Sequence, residues 1–139
     1  MGEPQINPDR ARFGLFKDLP RDRPVHMLNL VRLRAEAAYD DGRKASGAEA
    51  YAAYGRESGP IFRRLGGTIL WSGKPELMLI GPMDEAWDLA FVAVYPTGQA
   101  FIDMIRDADY QRAALHRTAA VADSRLIRMS PGEAGAGFG

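Results

Sequence analysis

The late polar cluster of this chain, in "LHRTAAVADSRLI" from Leu115 to Ile127, holds the side chains best suited to chemistry. His116 stands beside Arg117, and Asp123, Ser124 and Arg125 follow. Histidine, with an unperturbed pKa of about 6.5, suits proton transfer at neutral pH. His116 is therefore a candidate general acid or base, and Asp123 a candidate to orient it. Arg117 can grip a substrate carboxylate through two parallel hydrogen bonds, or an acid across a subunit boundary. Each residue also has a plain structural reading. A cationic side chain late in a helix favours the negative end of the dipole. Short polar side chains where a helix stops and a strand begins satisfy free backbone groups, which suits Asp123 and Ser124. Ser124 has no nucleophile-elbow pattern around it, so a serine hydrolase is set aside.

Other polar or aromatic residues interrupt apolar stretches. Asn29 and Arg32 fall in "VHMLNLVRLR". A buried amide there needs a partner, backbone or ligand. Strand alternation sends Asn29 and Arg32 to opposite faces, so they do not share a site. Trp71 is a core residue or an aromatic wall for a ligand. Tyr51 and Tyr54 line the core or a cleft from one helix. His26 has no evident role. Two distant histidines, no cysteine and no HExxH spacing offer no transition-metal site. A haem would have only His116 or His26 as a histidine ligand. GxGxxG and P-loop patterns are absent, and no cofactor is expected.

The bulk composition narrows the class. The chain has 139 residues, 46 % hydrophobic and 26 % charged, which suits one globular domain. Eighteen basic residues balance eighteen acidic ones. Neither nucleic acid nor an anionic membrane surface is an expected partner of such a chain. No run approaches the roughly 20 apolar residues of a membrane span, and "MGEPQINPDRARFGLF" lacks a signal-peptide core. The expected location is the cytoplasm.

These residues need elements to position them. Residues 1–23 form a polar extension, with Asn7 and Pro8 capping a short helix from about Asp9 to Lys17 that buries Phe13, Leu15 and Phe16. A strand follows from Val25 to Arg34. Ser46 and Glu49 make a capping box for a helix from about Gly47 to Leu65, whose inward seam is Ala48, Tyr51, Gly55, Phe62 and Leu65. Pro60 is expected to kink or restart it. "TILWSG" is a strand, which "LMLIG" resumes after a break, or else the two are separate short strands. "WDLAFVAVYP" is a further strand. Thr97 and Asp107 cap two more helices, and "SRLIRM" is the last strand. Residues 130–139 are expected to be a flexible tail. The order strand, helix, two strands, helix pair, strand is that of an α+β, ferredoxin-like antiparallel sheet with helices on one face, here over residues 24–129.

The strands are apolar on both faces. Leu89, Phe91, Ala93 and Tyr95 point one way, and Ala90, Val92 and Val94 the other. Helices cover one face only. A second copy, packed sheet to sheet, is the expected cover for the other, in an interface of about 1,600 Å² or more.

The stretches "NLVRLR", "GAEAYAAYG", "GGTILWSG", "LIGP", "WDLAFVAVYP", "FIDMIRDADYQ" and "HRTAAVADSRLI" resemble, in the same order, a bacterial family known only as domain of unknown function thirteen-thirty. That family is similar to the dimeric α+β barrel group, in which ferredoxin-like units pair sheet to sheet. The group includes cofactor-free monooxygenases, haem-degrading enzymes, muconolactone isomerases and stress-responsive proteins. The resemblance implies the fold, a homodimer and a cleft between sheet and helices, but no single chemistry. Three readings stay open. One is a cofactor-free oxygenase or isomerase acting on a small organic, anionic molecule. His116 and Asp123 would be its catalytic residues, with Asn29, Arg117, Trp71 and Tyr54 binding the substrate. The others are a non-catalytic ligand-binding or regulatory module, and a purely structural homodimer.

Overall fold

The computed structural model describes residues 2–133 and 135–138. Its elements run α1 (Arg10–Asp18), β1 (Val25–Leu33), α2 (Gly47–Arg64), β2 (Thr68–Gly73), β3 (Leu89–Tyr95), α3 (Gly98–Arg106), α4 (Ala108–Ala120) and β4 (Val121–Met129). The four strands form one antiparallel sheet in the order β2-β3-β1-β4. This is the ferredoxin-like fold expected from the element order.

The caps read from the sequence close as expected. Ser46 accepts from the Glu49 N–H at 2.9 Å, and Glu49 accepts from the Ser46 N–H at 2.8 Å. Thr97 and Asp107 accept from the N–H groups of Ala100 and Tyr110. Each bond satisfies a helix donor that has no partner inside the helix. Gly66, at φ +86°, ends α2 in the left-handed region that glycine tolerates. Helix α1 forms as well, but its cap is Asp9, which accepts from the Arg12 N–H at 2.7 Å, rather than Asn7.

The sheet has two distinct faces. Val25, Met27, Ala93 and Tyr95 meet Ile61 of α2 and Phe101 and Met104 of α3 in the main core. A second cluster joins Val31 to Ala50, Ala120 and Val121. On this covered face the register aligns Ser72, Phe91, Asn29 and Leu126 in one row across the strands. On the other face the matching row is Trp71, Val92, Leu28 and Ile127. No helix lies over that second row. Trp71 is 48 % exposed and Ile127 46 %.

Five expectations need correction. The inward seam of α2 is Ala50, Ser58 and Ile61, with Phe62 and Leu65 packed against the core as expected and Tyr51 and Tyr54 half-buried beside it, whereas Ala48 and Gly55 are exposed. The pattern is rotated because the helix packs along α4 as well as on the sheet. Helix α2 runs unbroken through Pro60, which lies on its exposed side, where the carbonyl it leaves unpaired can meet water. Leu15 is 66 % exposed, so α1 packs through Phe13 and Phe16 alone. "LMLIG" is not a strand: residues 77–81 pair with none of the four strands and run as irregular chain. The last strand is also longer than expected, beginning at Val121. The tail expected over 130–139 falls partly outside the described residues.

Candidate functional site

A cavity of about 1120 Å³ opens on the covered face, between the sheet, α2, α4 and the N-terminal segment. Its floor is the row holding Asn29, Phe91 and Leu126. Its walls include Tyr51 and Tyr54 from α2 and Tyr110 and Arg117 from α4. Tyr110 and Arg117 are seven positions apart, two helical turns, so they stand on one face of α4. Phe13 and Phe16 of α1 form part of the roof.

The electrostatics of the cavity are one-sided. Arg63, Arg117 and Arg128 line it, with Arg12 at its edge paired to Asp9, and no aspartate or glutamate does. Arg125, paired with Asp123, sits at the Leu30 register position, which belongs to the other face. Burial pushes the Arg128 guanidinium below its usual pKa range. Burial likewise pushes the Tyr51 and Tyr110 phenols well above theirs, so both remain neutral donors. Tyr54 and Tyr110 join hydroxyl to hydroxyl at 2.9 Å. Asn29 donates to the Met27 carbonyl at 3.0 Å and stands on the cavity floor.

The polar cluster of the sequence divides. His116 is not among the cavity residues. Its Nδ1 lies 2.6 Å from the Tyr39 hydroxyl and its Nε2 2.7 Å from the Glu57 carboxylate, between α4, α2 and the loop after β1. Asp123 shares neither partner. It accepts from the N–H groups of Gln5 and Ser124 and from Arg125, all at 2.9 Å. Burial pushes the Asp123 carboxyl upward, but the Gln5 N–H, Arg125 and the Ser124 N–H outweigh it and hold the pKa low. His116 and Asp123 therefore do not form a pair.

Arg117, Asp123 and Ser124 instead act together on the N-terminal segment. Arg117 donates to the Ile6 carbonyl and, at 3.4 Å, to the Ser124 hydroxyl. Ser124 donates to the Gln5 carbonyl at 2.6 Å. Arg128 donates to the carbonyls of Phe16 and Pro20, with its guanidinium 4.5 Å from the Phe16 ring. The segment expected to be a mere extension is thus strapped over the cavity.

Trp71 stands apart from these residues. It lies on the uncovered face, opposite the cavity, because it pairs in register with Val92 and not with Phe91 or Ala93. A β-bulge between Ile69 and Trp71 sets that register. Among the expected residues, Asn29, Tyr54 and Arg117 share the cavity; His116 and Trp71 do not line it, nor does Asp123. Tyr110 and Arg128 were missed, although the spacing of Tyr110 from Arg117 was there to be read.

Among the described residues, no group of three or more metal-type side chains is placed to hold an ion, and no helix is long and apolar enough to cross a membrane. No curated protein matches the chain. The crystal structure of the methylated RPA0582 protein is 57 % identical, covering 96 % of this chain and 99 % of its own, with a TM-score of 0.93. The RPA0582 protein of unknown function from Rhodopseudomonas palustris is likewise 57 % identical, over 94 % and 98 %, at 0.90. SnoaB, a cofactor-independent oxygenase from Streptomyces nogalater, is 15 % identical over 82 % and 98 %, at 0.54, a likeness of fold alone. The family model described as Domain of unknown function (DUF1330) matches residues 43–129, and the chain belongs to that family.

Proposed function

We propose that the cavity binds a small organic molecule carrying an aromatic or apolar body and an anionic group. The observation that carries this reading is a cavity of about 1120 Å³ with aromatic walls, the guanidinium groups of Arg63, Arg117 and Arg128, and no acidic side chain in its lining. Such a lining favours an apolar body by burial and an anion by charge. Arg117, at the junction of α4 and the floor, would hold the anionic group. Tyr54, Tyr110 and Asn29 would donate to its polar atoms. Trp71, on the far side of the sheet, would take no part. A thermal-shift series of small aromatic carboxylates tests this. Stabilisation that rises with ligand concentration and shrinks in Arg117→Ala is expected. No stabilisation by any member would overturn the reading.

Two forms of it differ in turnover. SnoaB is a cofactor-independent oxygenase, and a cofactor-free oxygenase or isomerase is the enzymatic form. Its proton transfers would then fall to the tyrosines rather than to His116. The position of His116, held by Tyr39 and Glu57 outside the cavity, favours the second form, a binding module without turnover. Consumption of a bound carboxylate under air, followed by mass spectrometry, separates the two.

We further infer that two copies associate through the uncovered face. The apolar row Trp71, Val92, Leu28 and Ile127 supports this, since no helix lies over it and Trp71 and Ile127 at its two ends stay about half exposed, although Val92 between them is buried. Sedimentation at micromolar concentration should return twice the chain mass; a lone protomer would overturn the inference.

A further inference from the structure

Fifteen residues, Lys74 to Asp88, join β2 to β3, far more than a hairpin needs. No helix or strand covers them. Leu77, Leu79, Ile80 and Met83 are 77, 84, 91 and 96 % exposed. These are among the barest large apolar side chains of the described residues, and they are consecutive or nearly so. Scattered apolar residues on a surface need no cause, whereas a contiguous run of this size does.

The run also conflicts with its own sequence. "LMLI" is a short, two-sided apolar segment of the type found in strands buried on both faces. Here it pairs with no strand of its own sheet and runs as irregular chain.

We propose that residues 77–83 are a dimerisation arm. In a pair of chains each arm reaches over the other chain and buries Leu77, Leu79, Ile80 and Met83 against its uncovered sheet face, beside Trp71 and Ile127. The occupant is a second copy because one chain presents both halves of the contact. A two-fold axis then satisfies both bare arms and the half-exposed Trp71 and Ile127 of both faces at once. The reach is sufficient. Half of a fifteen-residue loop spans roughly 25 Å when extended, while a four-stranded sheet is about 15 Å across. The area is of the right order too. Four nearly bare side chains of this size supply several hundred Å² of the roughly 800 Å² each partner gives to a stable interface. Charge does not oppose the pairing, since the chain carries no net charge at neutral pH.

This inference rests on the two-copy reading above, and its test separates the two. Sedimentation equilibrium is run on the full chain and on a Leu79→Asp, Ile80→Asp double variant. Circular dichroism checks that the protomer still folds, as it should when exposed residues are replaced. The dimer of the variant should dissociate at concentrations at least about a hundredfold higher than the parent's. Independently, Ile80→Cys places a single thiol in a chain that has no cysteine. Maleimide should label it readily at dilutions where the chain is monomeric and lose that reactivity where it is dimeric. A parent dimer, a double variant of equal affinity and a freely labelled thiol would overturn the arm alone. A monomeric parent would overturn both readings.

Discussion

Tyr39 and His116, 77 positions apart in the chain, meet with the Tyr39 hydroxyl 2.6 Å from His116 Nδ1. The histidine bridges the loop after β1 to Glu57 of α2 and faces away from the cavity. It is a tie between elements. His116→Ala should therefore lower stability by about 1 kcal/mol, the worth of one part-buried hydrogen bond to Tyr39 with a smaller share from the exposed one to Glu57. It should leave the thermal shift produced by a cavity ligand intact. Urea unfolding reads the first effect and ligand titration the second. A variant of normal stability that no longer binds would show His116 to be part of the site after all.

The bond from Arg117 to the Ile6 carbonyl fixes the N-terminal strap. A hydrogen bond to a charged donor contributes about 1.5–3 kcal/mol locally. Arg117→Ala should speed amide exchange at Gln5 and admit protease to residues 2–8, while exchange in β1 and β3 stays slow. Ser124→Ala, which loses the bond to the Gln5 carbonyl, should act in the same direction. Unchanged exchange at Gln5 in both variants would mean that the strap is held by its phenylalanines alone.

Ser46 and Glu49 cap α2 reciprocally. Ser46→Ala should cost about 1 kcal/mol in denaturant unfolding. Ser46→Asp, which keeps the acceptor, should retain most of that stability. An alanine variant as stable as the parent would show that packing against α4 alone suffices to start the helix.

Stability should fall at both ends of the pH scale. The Tyr110 N–H and then Arg64 hold the Asp107 carboxyl low, and the partners of Asp123 do the same against its burial. Both carboxyls are less readily protonated in the folded chain than in the unfolded one. Their contribution is present above the unfolded value of about 3.9 and is lost as pH falls through the lower folded values. An Asp107→Asn, Asp123→Asn variant should show a shallower decline below pH 4. Burial raises the phenols of Tyr51, Tyr95 and Tyr110. Above a pH of about 10 the unfolded chain ionises these groups first, so stability should drop as pH climbs past that point. Urea midpoints across the range check both limbs; parallel acid limbs in parent and variant would assign the loss to other groups.

Local rules made most of the architecture legible. Caps at Ser46, Thr97 and Asp107 are short-range bonds between neighbours in sequence, and they form wherever the helix forms. Strand alternation placed Asn29 and Arg32 on opposite faces, and an apolar pattern on both sides of β3 announced a sheet with one face uncovered by helices. Element order then left few topologies, of which the ferredoxin-like one is realised.

The site obeyed no such rule. Seven residues separate His116 from Ser124, yet His116 turns toward Tyr39 and Glu57 while Ser124 turns toward Gln5. Trp71 changed faces through a bulge of one residue, which propensity does not forecast. The sequence by itself determined which segments become helices and strands and which of their faces are oily, because those follow from bonds and periodicities within a few residues. Only the tertiary structure decided which side chains share the cavity, which hold down the strap, and that the apolar run at 77–80 finds no strand within its own chain. Each of these depends on partners brought together from distant parts of the sequence, where a rotation of one helix or a shift of one register reassigns every neighbour.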